Sequence, residues 1–306
     1  MIADTFDKDI ANTPDELLLR PDIHDDGHKT WPYLFVAGPR GYRPLIADLA
    51  APPREGPHPL VVFIHGGAWW IGNPFTTNAV LEKMEIRKQL LAAGFAVARI
   101  SYRLSSEGLF PMQLHDCKAA VRYFRKHAAT LNLDPGKFAT MGESAGGHLA
   151  CLLGLTSDRP DLEGEVGVTG FSSAVQAVVD WYGPSEFLTM DEQRPAHAVQ
   201  VHNDGGSPES HLIGGALVDH PEGAREASPI AYVSAGAPPF LIQHGVEDRL
   251  VPIGQARALA HALRSAGTQV TLSEIAGADH CFWGVETTPI VDEAIAFLAD
   301  KLMPPG

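Results

Sequence analysis

Three observations predict an α/β fold with a mostly parallel central sheet flanked by helices. From Leu60 onward, short apolar runs rich in β-formers alternate with longer amphipathic ones, the pattern of successive βαβ units. The run Gly142-Glu143-Ser144-Ala145-Gly146-Gly147 stands where a short apolar stretch, Lys137 to Met141, gives way to a helical one, His148 to Leu153. The chain has 306 residues, 45% of them hydrophobic, enough to bury a large core, and no repeat divides it, so 1–306 reads as one domain.

The elements follow in order. Residues 1–30 mix Asp, Pro, His and Gly and read as an irregular arm with one short helix around Pro14 to Leu19. Trp31 to Val36 and Leu45 to Leu49, joined by a turn through Gly38, Pro39 and Gly41, read as an antiparallel pair at a sheet edge. Further strands are expected at Leu60 to Ile64, Ala96 to Ser101, Phe138 to Met141, Ala177 to Tyr182, Pro239 to His244 and Val270 to Ile275. Helices are expected at Ala79 to Ala93, Pro111 to Ala129, Ala145 to Thr156, Ile253 to Ala266 and Thr288 to Leu302, with Gly94 and Gly267 at C-caps. After the sixth strand the regularity fails: residues 183–232 are rich in Pro, His, Gly and Ser. This insertion, packed with the N-terminal arm, is expected to form a lid.

Composition narrows the function. The net charge is −14 with Lys and Arg scattered, which argues against nucleic acid as a partner. Three cysteines, Cys117, Cys151 and Cys281, cannot all pair, and the acidic, polar N-terminus lacks the basic start and apolar run of a secretory signal. A reduced, cytoplasmic protein is the expectation. No apolar run approaches the roughly 18 residues that span a bilayer. The cluster His24-Asp25-Asp26-Gly27-His28 has no strand scaffold and reads as a polar loop, so no metal is expected. The choice between monomer and homo-oligomer stays open.

The Gly-x-Ser-x-Gly run carries the chemistry. Its serine must occupy a strained turn with positive φ, and glycines two residues away on each side let neighbouring backbone pass. A serine hydroxyl also needs a base, and the base an orienting acid, both later in the chain at strand ends. Asp248 qualifies in the turn-rich loop after Pro239 to His244, with Glu247 as its nearest rival. His280 is the base candidate, because His261 falls inside a predicted helix whereas His280 follows the last strand; adjacent Asp279 reads as structural. Cys281 reads as a small buried filler.

The loop His65-Gly66-Gly67-Ala68-Trp69-Trp70 directly follows a strand, and its glycines would let backbone N–H groups approach an oxyanion. The amides of Gly67, Ala68 and Ala145 are the expected donors, and His65 reads as a loop organiser. Trp69, Trp70, Glu143, Trp181 and Phe282 are candidates for the substrate-binding wall.

On these motifs the chain from about Leu45 to Leu302 resembles the α/β-hydrolase family. The His-Gly-Gly-x-Trp loop and the Gly-Glu-Ser-Ala-Gly-Gly turn are similar to carboxylesterases related to hormone-sensitive lipase. The stretches Ser101-Tyr102-Arg103-Leu104, Leu114-His115-Asp116-Cys117-Lys118-Ala119-Ala120, Asp180-Trp181-Tyr182-Gly183-Pro184 and Ala227-Ser228-Pro229-Ile230 are similar to the bacterial bifunctional feruloyl and acetylxylan esterases. The resemblance implies an α/β-hydrolase fold, Ser144, Asp248 and His280 as a triad, and Gly67, Ala68 and Ala145 in the oxyanion hole. Ala68 departs from the third glycine of the commoner loop; kynurenine formamidases and several other esterases also carry a side chain there.

The expectation is a serine carboxylic-ester hydrolase that cleaves small soluble esters, short-chain acyl or aryl, without a cofactor. The alternatives are an amidase such as an arylformamidase, using the same triad, and a non-catalytic receptor that holds a small ligand under the lid.

Overall fold

The computed structural model describes residues 15–24, 29–38 and 41–303. In chain order its elements are α1 (Asp15–Leu18), β1 (Asp22–Ile23), β2 (Lys29–Gly38), β3 (Gly41–Ala50), β4 (His58–Ile64), α2 (Ala79–Met84), α3 (Ile86–Ala93), β5 (Ala96–Ile100) and α4 (Met112–Lys126). They continue with β6 (Leu133–Glu143), α5 (Ala145–Leu155), β7 (Ala177–Trp181), α6 (Pro208–Ile213), α7 (Pro221–Glu226), β8 (Phe240–Gly245), α8 (Gly254–Ser265), β9 (Val270–Ile275) and α9 (Thr288–Leu302).

The strands form one nine-stranded sheet in the order β1-β2-β3-β5-β4-β6-β7-β8-β9. Pairs from β1 to β5 along this order are antiparallel, and all pairs from β5 to β9 are parallel. The arrangement is the predicted one, with the two-residue β1 added at the edge, too short to leave a periodic signal. Central strands β7 and β8 are buried at every position, which is why they read as continuous apolar runs; β9, at the edge, is partly exposed throughout. Two apolar layers cover the faces. One is built on α4, α5 and α8, the other on α2, α3 and α9.

Several positions differ from the sequence expectations, and residues 183–232, read as irregular, carry the two short helices α6 and α7. The helix expected over 79–93 is two, because Glu85 adopts left-handed backbone (φ 45°, ψ 34°) between them. Gly94 closes α3 as expected, whereas Gly267 lies one residue past the C-cap of α8, which is Ala266. The start of the described arm holds the last turn of α4, where Asp15 pairs with Lys126 at 2.6 Å and Tyr123 Oη donates to Leu18 O at 2.7 Å. Its end instead meets the loop after β4, the His24 ring lying 6.4 Å from that of Phe75. Residues 1–14, Asp25 to His28 and Pro39 lie outside the described residues, and with them most of the His24–His28 cluster and the expected turn at 38–41. His24 itself bonds Thr30 Oγ1 at 3.0 Å. Among the described residues, no helix is long and apolar enough to cross a membrane.

Candidate active site

Ser144 stands between the end of β6 and the first residue of α5, with φ 54° and ψ −121°. Tight packing on both sides holds it there. A Cβ on Gly142 would lie 2.1 Å from Gly146 O, and one on Gly146 would lie 2.1 Å from Ile64 O, so neither position admits a side chain. The Ser144 amide donates to Trp181 O at 2.9 Å, which ties the turn to β7.

Long-range packing brings the other two polar groups to this hydroxyl. His280 Nε2 is 3.1 Å from Ser144 Oγ, and His280 Nδ1 is 2.8 Å from Asp248 Oδ2. An ionised carboxylate only accepts, so Nδ1–H donates to Asp248 and Nε2 is left to accept from the serine. The second Asp248 oxygen accepts from the amides of Leu250 and Val251, both at 2.8 Å. Rival candidates fall away by position: Glu247 and His261 are exposed. Asp279 is structural as expected. It accepts from Arg249 N at 3.0 Å and from His280 N at 2.8 Å, clamping the loop of the acid to the loop of the base.

The electrostatics follow from this packing. Burial alone would push the His280 pKa down, but the Asp248 charge and hydrogen bond outweigh it and hold the pKa above its ordinary 6.5. Burial likewise opposes ionisation of Asp248, yet facing His280 and His244 hold its carboxyl well below the usual range. Glu143 lacks such compensation: burial raises it to about 7 against the Gly66 amide bond and the nearby His280 charge.

The loop after β4 turns sharply beside the serine. Gly67, Ala68 and Trp69 are consecutive left-handed residues (φ 101°, 57° and 55°), and the amides of Trp70 and Ile71 both donate to Gly67 O at 3.0 Å. The N–H groups of Gly67 and Ala68 are used by no backbone hydrogen bond among the described residues, and the Ala145 N–H is free as the first of its helix. His65 organises the loop. Its Nδ1 lies 2.7 Å from Gly66 O, its ring stacks on Tyr102 at 4.4 Å, and burial pushes its pKa down to about 4, which keeps it neutral.

Two cavities meet at Ser144 and Ala68. The larger, about 400 Å³, is walled by Gly66, Gly67, Trp70, Thr77, Glu143 and His280 among others; the smaller, about 30 Å³, reaches Trp69, Ala145, His202 and Glu209. Of the residues expected to bind substrate, Trp70 and Glu143 line the large cavity. Trp69 instead faces the small cavity, 2% exposed, with its Nε1 donating to His148 Nδ1 at 3.2 Å. Trp181 and Phe282 lie in neither wall: both are fully buried and pack edge to face at 5.5 Å. Phe282 supports the site indirectly, through Tyr182, whose ring lies 4.8 Å from that of His280. Cys281, with left-handed backbone (φ 59°), is half-buried: it packs against the core and also lines the large cavity.

The 183–232 insertion reaches the site from one side. It walls the small cavity and bonds the neighbouring loops, with Val199 N donating to Arg249 O at 3.0 Å and the His211 ring 4.4 Å from Trp70. The large cavity owes its wall chiefly to 65–78, a segment with little periodicity to read. Two supporting residues also escaped the sequence. His244 Nε2 stands 3.2 Å from Asp248 Oδ2, and Tyr102 Oη donates to His65 O at 2.9 Å. A strand-end histidine four residues before the acid was the available signal for the first.

Comparison with known proteins agrees with this architecture. The BD-FAE family matches residues 47–263. Esterase LipC of Mycobacterium tuberculosis is 33% identical over 246 residues, covering 79% of this chain and 58% of LipC. The chain spans a little over half the length of the curated relatives it matches. A truncated carbohydrate esterase from gut microbiota superposes with TM-score 0.74 at 30% identity, covering 91% of this chain and 98% of that one. A propionate-bound esterase from Thermogutta terrifontis gives TM-score 0.70 at 26% identity, covering 92% and 97%. The chain belongs to the BD-FAE family and has the α/β-hydrolase fold.

Proposed function

We propose that this protein is a serine carboxylic-ester hydrolase for small soluble esters. The observation that carries the reading is the continuous relay from Ser144 Oγ through His280 to Asp248, at 3.1 and 2.8 Å, beside a cavity of about 400 Å³. His280 takes the serine proton as Ser144 attacks the ester carbonyl, and Asp248 holds the imidazole tautomer and stabilises its protonated form. The amides of Gly67, Ala68 and Ala145 receive the developing oxyanion; one such donor is worth about 2.7–4 kcal/mol in the transition state. His280 then protonates the leaving alcohol. Water repeats the sequence in reverse and releases the acid.

Ser144→Ala tests the reading. It is expected to abolish turnover of p-nitrophenyl acetate and labelling by a fluorophosphonate, and unchanged turnover in that variant would sink it.

A further inference from the structure

We infer that His244 is a positioning residue of the relay, whose Nε2–H holds Asp248 Oδ2 in place for His280 Nδ1 and takes up part of the charge on that oxygen. The inference rests on the serine-hydrolase reading and adds to it what sets the strength of the base. His244 is fully buried near the end of β8, and its Nε2 lies 2.9 Å from Val251 O and 3.2 Å from Asp248 Oδ2. A carbonyl and a carboxylate only accept, so Nε2 carries a hydrogen and presents it to this pair of acceptors.

That nitrogen completes the surroundings of the acid. Asp248 Oδ1 accepts from the amides of Leu250 and Val251, while Oδ2 faces both His280 Nδ1, at 2.8 Å, and His244 Nε2. Val251 joins the parts, since its N–H donates to the carboxylate and its C=O receives from His244. A carboxylate with donors at both oxygens is held in one orientation toward the base. Charge drawn toward His244 does not stabilise protonated His280, so loss of this donor strengthens the hold on the His280 proton and moves the neutral base to higher pH. Other ionisable groups face the pair from the neighbouring elements. Asp180 on β7 and Glu274 on β9 interact with His244, Glu143 and Asp279 with His280, and Arg249 with Asp248 and Asp279. The Tyr182 ring lies 6.4 Å from that of His244 and 4.8 Å from that of His280. Substitution at 244 leaves all of these in place.

His244→Phe keeps a ring without the donor, His244→Leu removes both, and His244→Gln places an amide NH₂ where Nε2 stood. With phenyl acetate over roughly pH 5 to 10, the acid limb of kcat/KM should move up by about half to one pH unit in His244→Phe and His244→Leu, and return to within about 0.2 of wild type in His244→Gln. The limb is read from the shape of each profile and is independent of how much of a variant folds. A limb unmoved or lowered in the donor-free variants, or raised as far in His244→Gln, overturns the role of His244 while leaving the hydrolase reading in place. The wild type supplies a second measurement that needs no donor-free variant. With isotopically labelled histidine, the NMR resonance of the His244 Nε2–H, assigned by its loss in His244→Gln, should move as His280 titrates; a resonance that ignores this titration also overturns the role. Absence of turnover by every form, with no fluorophosphonate label on Ser144 of the wild type, overturns both readings.

Discussion

The Gly66 amide donates to a Glu143 carboxyl oxygen at 2.6 Å, so the loop after β4 is fastened to the residue that immediately precedes Ser144. That carboxyl also acts on the base at a distance. When ionised it favours protonated His280, one of the influences that hold the His280 pKa up. Because catalysis needs neutral His280, the acid limb of kcat/KM in the wild type should lie above the ordinary histidine value of 6.5. Glu143→Gln removes the charge, lowers the His280 pKa and should move that limb to lower pH. A profile with p-nitrophenyl acetate over roughly pH 5 to 9 checks the direction, and an unmoved limb contradicts it.

Asp248→Asn should keep the fold and lose the chemistry. The asparagine oxygen can still accept from the amides of Leu250 and Val251, but its NH₂ then faces Nδ1 and forces the wrong imidazole tautomer. A drop in kcat of about 10⁴-fold is expected, the size seen when the orienting acid of a serine protease is so replaced, with thermal unfolding near wild type.

The neighbours Trp69 and Trp70 should separate stability from binding. Trp69 is 2% exposed and packs on Phe187 and His148, so Trp69→Ala should cost about 3–5 kcal/mol in denaturant unfolding. Trp70 is 46% exposed at the rim of the large cavity. Trp70→Ala should change unfolding by less than about 0.5 kcal/mol and raise KM for aryl esters with little change in kcat. Equal unfolding losses in the two variants would contradict the assignment.

Gly146→Ala tests the turn itself. Its methyl would meet Ile64 O, a backbone atom in the central sheet that cannot swing aside. Destabilisation on the order of 3 kcal/mol and loss of fluorophosphonate labelling are expected, measured on the same preparation. Ordinary labelling in a stable variant would show that the elbow tolerates the methyl.

Much of this was legible in the chain. Strands buried on both faces announce themselves as apolar runs, and the order of serine, acid and histidine at successive strand ends follows from how βαβ units place their loops on one edge. Ser144, Asp248 and His280 therefore come from local pattern and order, and so do the glycines that flank the serine. Direction and depth do not. Adjacent residues with the same chemistry, such as Trp69 and Trp70, are distinguished only by which one the folded loop turns inward. Trp181 and Phe282 are aromatic residues near site residues in sequence, yet the core claims both.

By itself the sequence determined the strands of the sheet, the long helices between them and the relay residues, because periodicity and turn chemistry are properties of neighbouring residues. Only the tertiary structure decided what surrounds that relay: the wall formed by 65–78, the buried meeting of His202 with Glu209, and the small cavity beside Ala145. These arise where segments distant in the chain are packed against one another, and local pattern does not say which of their side chains will meet.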